Sequence, residues 1–226
     1  MKISTMQAMR GVFAGAGRRA AWTAVSIAAL VWYGGAGAHD HAHQAAHPDA
    51  ESHQGHIMPV EQGRAQRSQH SYQIPDITLV DASGKQTSLL AELDSNQPVM
   101  LDFIFTSCTA VCPALSATFS QVQAQLGADR ERIRMISISI DPEQDTPAQL
   151  AEYAKKYGAD KQWKFLTGKP ADILAAQQAF DLYRGNKMNH VPVFLFRSSA
   201  DAPWIRYDGF ASAADLVGEY RRIASR

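Results

Sequence analysis

The feature that most constrains the fold is a predicted interior strand that runs through a cysteine into a helix. Val99 to Phe105 is a short apolar run rich in β-branched and aromatic residues, which is typical of a buried strand. Cys112-Pro113 then opens a predicted helix. Its apolar face recurs at spacings of 4, 3 and 4 in Leu115, Phe119, Val122 and Leu126. Both cysteines of the chain, Cys108 and Cys112, therefore lie at a junction between strand and helix.

The remaining pattern predicts an alternation of strands and helices. A hairpin is expected where the turn-rich 81–84 separates Ile77–Val80 from Gln86–Leu89. Thr146-Pro147 opens another helix, with a hydroxyl at the N-cap and proline at the first helical position. The other expected strands are 133–140, 164–166, 191–197 and 204–207, and the other expected helices are 171–180 and 213–224. This order predicts an α/β, thioredoxin-like fold over residues 72–226, with an N-terminal hairpin and a central mixed sheet flanked by helices.

Residues 1–38 have the composition of a targeting segment. They contain Lys2, Arg10, Arg18 and Arg19 and no acidic residue, and an uncharged stretch follows from Ala20. The small residues that end at Ala38 fit a signal-peptidase site, so we expect export to the periplasm and cleavage after Ala38. The alternative is an uncleaved anchor in the inner membrane, because the uncharged stretch is about the minimum length for a bilayer span.

Residues 39–71 are predicted to form a flexible tail, because they hold hardly any large apolar residue. Six of the eight histidines lie within residues 39–56, which suggests weak binding of additional metal: His39, His41, His43, His47, His53 and His56. Without the four basic residues of the first segment, the 22 basic and 22 acidic residues of the chain leave an excess of four acidic residues. Nucleic acid is therefore not an expected partner.

The cysteine pair is suited to chemistry rather than to stapling the fold. The positive end of a helix favours the thiolate, which binds metals and attacks disulfides. With three residues between them, Cys108 and Cys112 would share one face if the first helical turn included both. A disulfide between them would close a small ring and contribute only about 2 kcal/mol. Metal binding and reversible disulfide formation both remain open.

His190 is the only histidine beyond position 70. By position alone, a histidine beside an apolar strand is more often a core residue than a ligand. In a thioredoxin-like sheet, however, the loop before that strand lies beside the cysteines. The bond between Val191 and Pro192 is expected to be cis, as the equivalent proline is in that fold.

Three segments together resemble the Sco/SenC family of copper-binding, thioredoxin-fold proteins. They are Asp102-Phe-Ile-Phe-Thr-Ser-Cys-Thr-Ala-Val-Cys-Pro113, Ser139-Ile-Asp-Pro-Glu-Gln-Asp-Thr-Pro147 and the later His190. The resemblance implies a site for one copper ion on Cys108, Cys112 and His190. It also implies a metallochaperone that delivers copper to the binuclear copper centre of cytochrome c oxidase. Its partners would be the copper-bearing oxidase subunit and other copper chaperones.

The chain departs from the usual family pattern at three places. Thr109-Ala110 replaces Pro-Asp between the cysteines, Ser107 replaces a frequent histidine, and Asn189 stands where an aspartate often precedes the ligand histidine. The three expected ligands are kept. The departures put the affinity for copper, its redox potential and the choice of partner in question.

Ligand chemistry agrees with copper, since two thiolates and an imidazole suit Cu(I), and Cu(II) ranks above other divalent ions for such donors. Zinc is the chemical competitor.

The alternative function is a thiol-disulfide oxidoreductase that reduces the copper-ligand cysteines of the oxidase, with Cys108 as nucleophile and Cys112 resolving the mixed disulfide. A peroxiredoxin is disfavoured, because Leu101 and Phe105 occupy the places of its proline and threonine.

The loop 141–147 has a purely structural interpretation. Asp141-Pro142 ends a strand and Thr146-Pro147 starts a helix. A supporting role for Asp141 next to the metal ligands is the alternative.

Overall fold

The computed structural model describes residues 65–94 and 96–224. The strands are β1 (Gln66–His70), β2 (Thr78–Asp81), β3 (Gln86–Ser88), β4 (Val99–Ile104), β5 (Arg134–Ser139), β6 (Trp163–Gly168), β7 (Val193–Arg197) and β8 (Trp204–Asp208). The helices are α1 (Leu89–Leu93), α2 (Val111–Leu126), α3 (Pro147–Lys156), α4 (Pro170–Ala179) and α5 (Ala213–Ala224). Two 3₁₀ segments, Gly127–Arg132 and Lys187–Asn189, complete the described elements.

The strands form one mixed sheet in the order β1-β8-β7-β4-β5-β6-β2-β3. β4, β5 and β6 are parallel, and the other neighbours are antiparallel. The predicted hairpin is present as β2 and β3, although Leu89 begins α1 instead of ending the strand, because Ser88 caps that helix. The predicted α/β, thioredoxin-like architecture is confirmed.

β4 explains why helices cover both faces of the sheet. All six of its residues are buried, and successive side chains point to opposite faces. Met100 and Ile104 join a core cluster with α2, α3 and α5, whereas Leu101 and Phe103 join a second cluster with α1 and α4. A strand buried on both faces reads as a continuous apolar run, which is why its sequence was recognisable.

The prediction of a flexible tail up to residue 71 is wrong at its end. Residues 66–70 form β1, which pairs with the whole of β8. The side chain of Arg67 also reaches Glu219 on α5, at 2.8 Å from Nε to the carboxylate. Backbone pairing at a sheet edge needs no apolar side chains, so the polar sequence of β1 gave no strand signal.

The peptide bond between Val191 and Pro192 is trans, as are all bonds among the described residues, so the expected cis proline is wrong. The expectation of a cis bond came from analogy with the fold. The local sequence does not require it, since an X-Pro bond is trans by default.

The predictions for the signal segment or anchor and for the histidine-rich tail as far as residue 64 lie outside the described residues. Within 65–94 and 96–224, no helix combines the length and the apolar character needed to cross a membrane.

Candidate metal centre

A tight turn after β4 places the cysteines at the carboxyl end of that interior strand. After β4, the backbone N–H of Cys108 donates to the carbonyl of Phe105 at 3.2 Å. Helix α2 starts only at Val111, so Cys108 lies just before the helix and only Cys112 lies inside it. The N–H of Cys112 nevertheless donates to the Cys108 sulfur at 3.3 Å. The first helical turn therefore does not include both cysteines, as the prediction from their spacing required, but the two residues still lie side by side.

The surroundings of the two thiols shift their pKa values in opposite directions. Burial alone would raise the pKa of Cys108, but hydrogen bonds from the Cys112 N–H, from the Cys112 thiol and from the N–H groups of Ala110 and Val111 bring it below its ordinary value. Cys112 is fully buried, and burial raises the pKa of its thiol far above the ordinary range despite an N–H bond from Phe105. Both cysteines are free thiols, and Cys108 is the more exposed. Exposure and a lowered pKa both make Cys108 the better suited of the two thiols to act as a nucleophile.

β7 brings His190 to the same edge of the sheet. β7 is the antiparallel neighbour of β4, and the loop that precedes it holds the histidine. The His190 ring packs edge-on against Phe105, with ring centroids 6.3 Å apart. Its Nε2 atom is buried and has no hydrogen-bond partner among the described residues. Burial lowers the pKa of His190, with the carbonyl of Phe103 acting in the opposite sense, so the imidazole is biased toward the neutral form that binds metals.

Phe105 contacts all three predicted ligands. Its carbonyl accepts from Cys108, its N–H donates to the Cys112 sulfur at 3.4 Å, and its ring faces His190. Even so, no three His, Cys, Asp or Glu side chains in residues 65–94 and 96–224 are gathered tightly enough to hold a metal ion. The structure brings the cysteines together and packs the histidine against Phe105, which both cysteines also contact, but it does not close a three-ligand cage.

The arrangement can be compared with known proteins. The SCO1/SenC family model matches residues 65–200, more than half of the chain. The chain belongs to the SCO1/SenC family. A SCO1 protein homolog of Bacillus subtilis is 37% identical over 99 residues, which cover 43% of this chain and 50% of the relative. The match thus spans about half the length of that relative.

Solved structures of the Sco family have the same fold. BsSco, described as a member of the Sco family of cytochrome c oxidase assembly proteins with a disulfide switch, aligns with a TM-score of 0.59 at 26% identity, over 70% of this chain and 96% of that one. Bradyrhizobium japonicum ScoI, solved with copper bound, aligns with a TM-score of 0.56 at 24% identity, over 66% of this chain and 98% of that one.

In this SCO1/SenC chain, the loop between β5 and α3 supports the cysteine turn. The fully buried Asp145 accepts from the N–H and the hydroxyl of Thr106, the latter at 2.5 Å, and from the Ser139 hydroxyl at 2.5 Å. Thr146 and Gln149 form the capping box that starts α3, which confirms the predicted helix start. The sequence prediction missed Asp145, although its place in the loop 141–147 was a usable signal.

The positions that depart from the family pattern lie around the cysteines and the histidine. Ser107, Thr109 and Ala110 are exposed in the cysteine turn. The side-chain amide of Asn189 donates to the Arg184 carbonyl at 3.3 Å, and the next residue along the chain is His190. Asn189 therefore stabilises the loop that carries the histidine through a hydrogen bond that an aspartate, as an acceptor, would not donate.

Proposed function

We propose that the protein binds one copper ion through Cys108, Cys112 and His190 and delivers it to the binuclear copper centre of cytochrome c oxidase. The observation that carries this proposal is the buried Nε2 atom of His190, which has no partner among the described residues, on a ring that packs against Phe105, the residue that also contacts both free thiols. A neutral imidazole with a vacant lone pair and two sulfur donors is a donor set that suits copper. Family membership, and the copper bound to the Bradyrhizobium relative, support the same choice of metal.

The geometry of the site is consistent with transfer rather than permanent storage. Cys108 is partly exposed at the surface while Cys112 is buried, so an incoming thiolate can approach the metal from the Cys108 side. The two cysteines are adjacent, and the three proposed ligands are not closed into a cage. Copper can then leave by stepwise ligand exchange, in which each departing sulfur or nitrogen is replaced by a donor of the recipient.

Export is part of the proposal. Residues 1–38 would direct the chain to the periplasm or anchor it at the periplasmic face of the inner membrane, and the histidine-rich tail would bind additional metal weakly. The copper-bearing subunit of the oxidase and other copper chaperones are the proposed partners.

The test uses the full chain in which the six tail histidines are replaced by glutamine, so that only the folded part competes for copper. With Cu(II), this chain should bind about one ion per molecule and show a charge-transfer absorption band from thiolate to copper. Cys108→Ser should abolish the band, and His190→Ala should weaken binding strongly. Unchanged affinity in His190→Ala would refute the three-ligand site.

The unequal cysteines support a second candidate function, reduction of the oxidase's copper-ligand cysteines. The Cys108 thiolate would attack a substrate disulfide and release one substrate thiol. The Cys112 thiolate would then attack the Cys108 sulfur, release the second substrate thiol and leave a Cys108–Cys112 disulfide. Disulfide reduction that survives in His190→Ala and is lost in Cys108→Ser would favour this function, whereas retention in Cys108→Ser would contradict it.

A further inference from the structure

Lys187 occupies a place at the site that the sequence prediction did not consider. It starts the short 3₁₀ segment that ends just before His190, and its carbonyl accepts from the His190 N–H at 3.1 Å. Its ammonium group donates to the Asp141 carboxylate at 2.5 Å. The residues around Lys187 in this histidine loop, defined here as 184–192, are largely exposed. The ion pair therefore attaches an otherwise exposed loop to the body of the protein.

Asp141 is a firm anchor for this contact. Its side chain is only 9% exposed, so the ion pair is shielded from solvent on the carboxylate side. Its N–H donates to the Ser139 hydroxyl at 3.0 Å, and that hydroxyl donates to Asp145. Asp145 in turn binds the backbone and side chain of Thr106 in the cysteine turn. The contact chain from Lys187 therefore ends two residues from Cys108.

The Lys187 side chain also contacts Phe105, the residue against which His190 packs. Its Nζ atom lies over the Phe105 ring at 5.7 Å from the centroid, and the same ring packs against His190. An exposed ion pair between two mobile side chains contributes little. Here one partner is nearly buried and the cation also lies over an aromatic ring, which favours a defined position.

We infer that Lys187 is a positioning residue of the metal site, which latches the histidine loop to Asp141 and holds His190 beside the cysteine pair. The inference rests on the proposed copper site. Because the three proposed ligands are not gathered into a cage, the histidine loop must shift for His190 to join the cysteines on one copper ion, and the latch to Asp141 limits how far it has to move. Changing a group that orients a metal ligand typically weakens metal binding by about 10- to 100-fold.

The test compares Lys187→Met and Lys187→Arg in the full chain that lacks the six tail histidines. Cu(II) ions are the probe, and electron paramagnetic resonance measures the nitrogen coupling of His190. Lys187→Met should keep the absorption band from thiolate to copper, lose the nitrogen coupling and bind copper about 10- to 100-fold more weakly. Lys187→Arg, which keeps the charge, should retain both the nitrogen coupling and the copper affinity of the chain with unchanged Lys187. Arg184→Met is the matched control, since the Arg184 side chain donates to the carbonyls of Asp181 and Tyr183 and pairs with the exposed carboxylate of Asp181, whereas the Arg184 carbonyl that binds Asn189 is kept in the variant.

A second readout needs no copper. In the metal-free chain, nuclear Overhauser contacts between the rings of Phe105 and His190 should weaken in Lys187→Met and persist in Lys187→Arg and Arg184→Met. Retained nitrogen coupling, tighter copper binding or unchanged ring contacts in Lys187→Met would overturn the inference. If the chain that lacks only the six tail histidines showed neither the absorption band nor the nitrogen coupling, the copper site itself would be refuted. The ring contacts would then be the remaining test of the role of Lys187.

Discussion

The carboxylate of Asp145 accepts hydrogen bonds from both the backbone N–H and the hydroxyl of Thr106, 39 residues earlier in the chain. The same carboxylate accepts from Ser139, so one buried acid joins the ends of two neighbouring parallel strands. The cysteine turn begins at one of these ends. Its conformation therefore depends on the loop 141–147 as much as on its own residues.

Asp145→Asn should loosen this turn, because an amide nitrogen cannot accept the hydrogen bonds that the second carboxylate oxygen receives. We expect a loss of about 1 to 3 kcal/mol in the free energy of unfolding, measured by urea denaturation, and faster hydrogen exchange at the Thr106 amide. Glu143→Gln, an exposed neighbour in the same loop, is the control and should change neither. Equal effects of the two variants would contradict the role of Asp145.

The reduced, metal-free protein should show two very different cysteines. The pKa of Cys108 is lowered and that of the buried Cys112 is raised. A free cysteine has a pKa of about 8.5, so iodoacetamide should modify Cys108 at a lower pH than it modifies a free cysteine. Cys112 should stay unmodified until the protein unfolds. Mass spectrometry of the labelled peptides measures both rates.

The control for this prediction is Cys112→Ser, which keeps the backbone N–H that donates to the Cys108 sulfur. Cys108 should therefore remain reactive in it. In urea, both cysteines of the unchanged chain should react alike. Similar rates for the two cysteines in the folded protein would count against both the assigned nucleophile and the reductase candidate.

The stability of the fold should fall as the pH rises toward neutrality, because of Asp102 on β4. This carboxyl is completely buried and neither oxygen has a hydrogen-bond partner among the described residues, so burial raises its pKa to about 7. The unfolded chain loses the same proton near pH 3.9. The folded state therefore binds this proton more tightly, and the stability that it contributes is complete below about pH 4 and lost by about pH 7.

Asp102→Asn removes this ionisation while keeping the side-chain shape. From the two pKa values, the unchanged protein should lose about 2 to 3 kcal/mol more between about pH 5 and pH 8 than the variant does. Urea denaturation at both pH values measures the difference. Asp201→Asn, at an exposed position, should keep the pH dependence of the unchanged protein. A pH dependence that survives in Asp102→Asn would show that Asp102 does not ionise as described.

Arg67 should hold the first strand in place. Its guanidinium makes two hydrogen bonds to the buried Glu219, which also accepts from the Tyr207 hydroxyl at 2.6 Å. Arg67→Met should speed hydrogen exchange in β1 and cost about 1.5 to 3 kcal/mol, as is usual for a hydrogen bond to a charged group. Arg130→Met removes an ion pair whose two side chains are 42% and 45% exposed, so it should cost less than about 1 kcal/mol. Unchanged exchange in β1 would mean that backbone pairing alone retains the strand.

Local patterns were sufficient wherever a residue's own neighbours decide its structure. The apolar run of β4, the cap at Thr146 and the turn between β2 and β3 were all recognisable for this reason. β1 was missed because its partner, β8, lies more than a hundred residues away and its own side chains are polar. Lys187 was missed because nothing in its local sequence indicates that Asp141 will be its partner.

The sequence by itself determined the alternation of strands and helices, the cysteine pair at a helix start and, through its three motifs, membership of the SCO1/SenC family. Only the tertiary structure decided how the thiols differ, that Phe105 contacts all three predicted ligands, and that Lys187 and Asp145 connect the histidine loop and the cysteine turn to one acidic loop. The physical reason is that burial, pKa and ion pairing depend on atoms brought together from distant parts of the chain, whereas strand and helix signals are written in neighbouring residues.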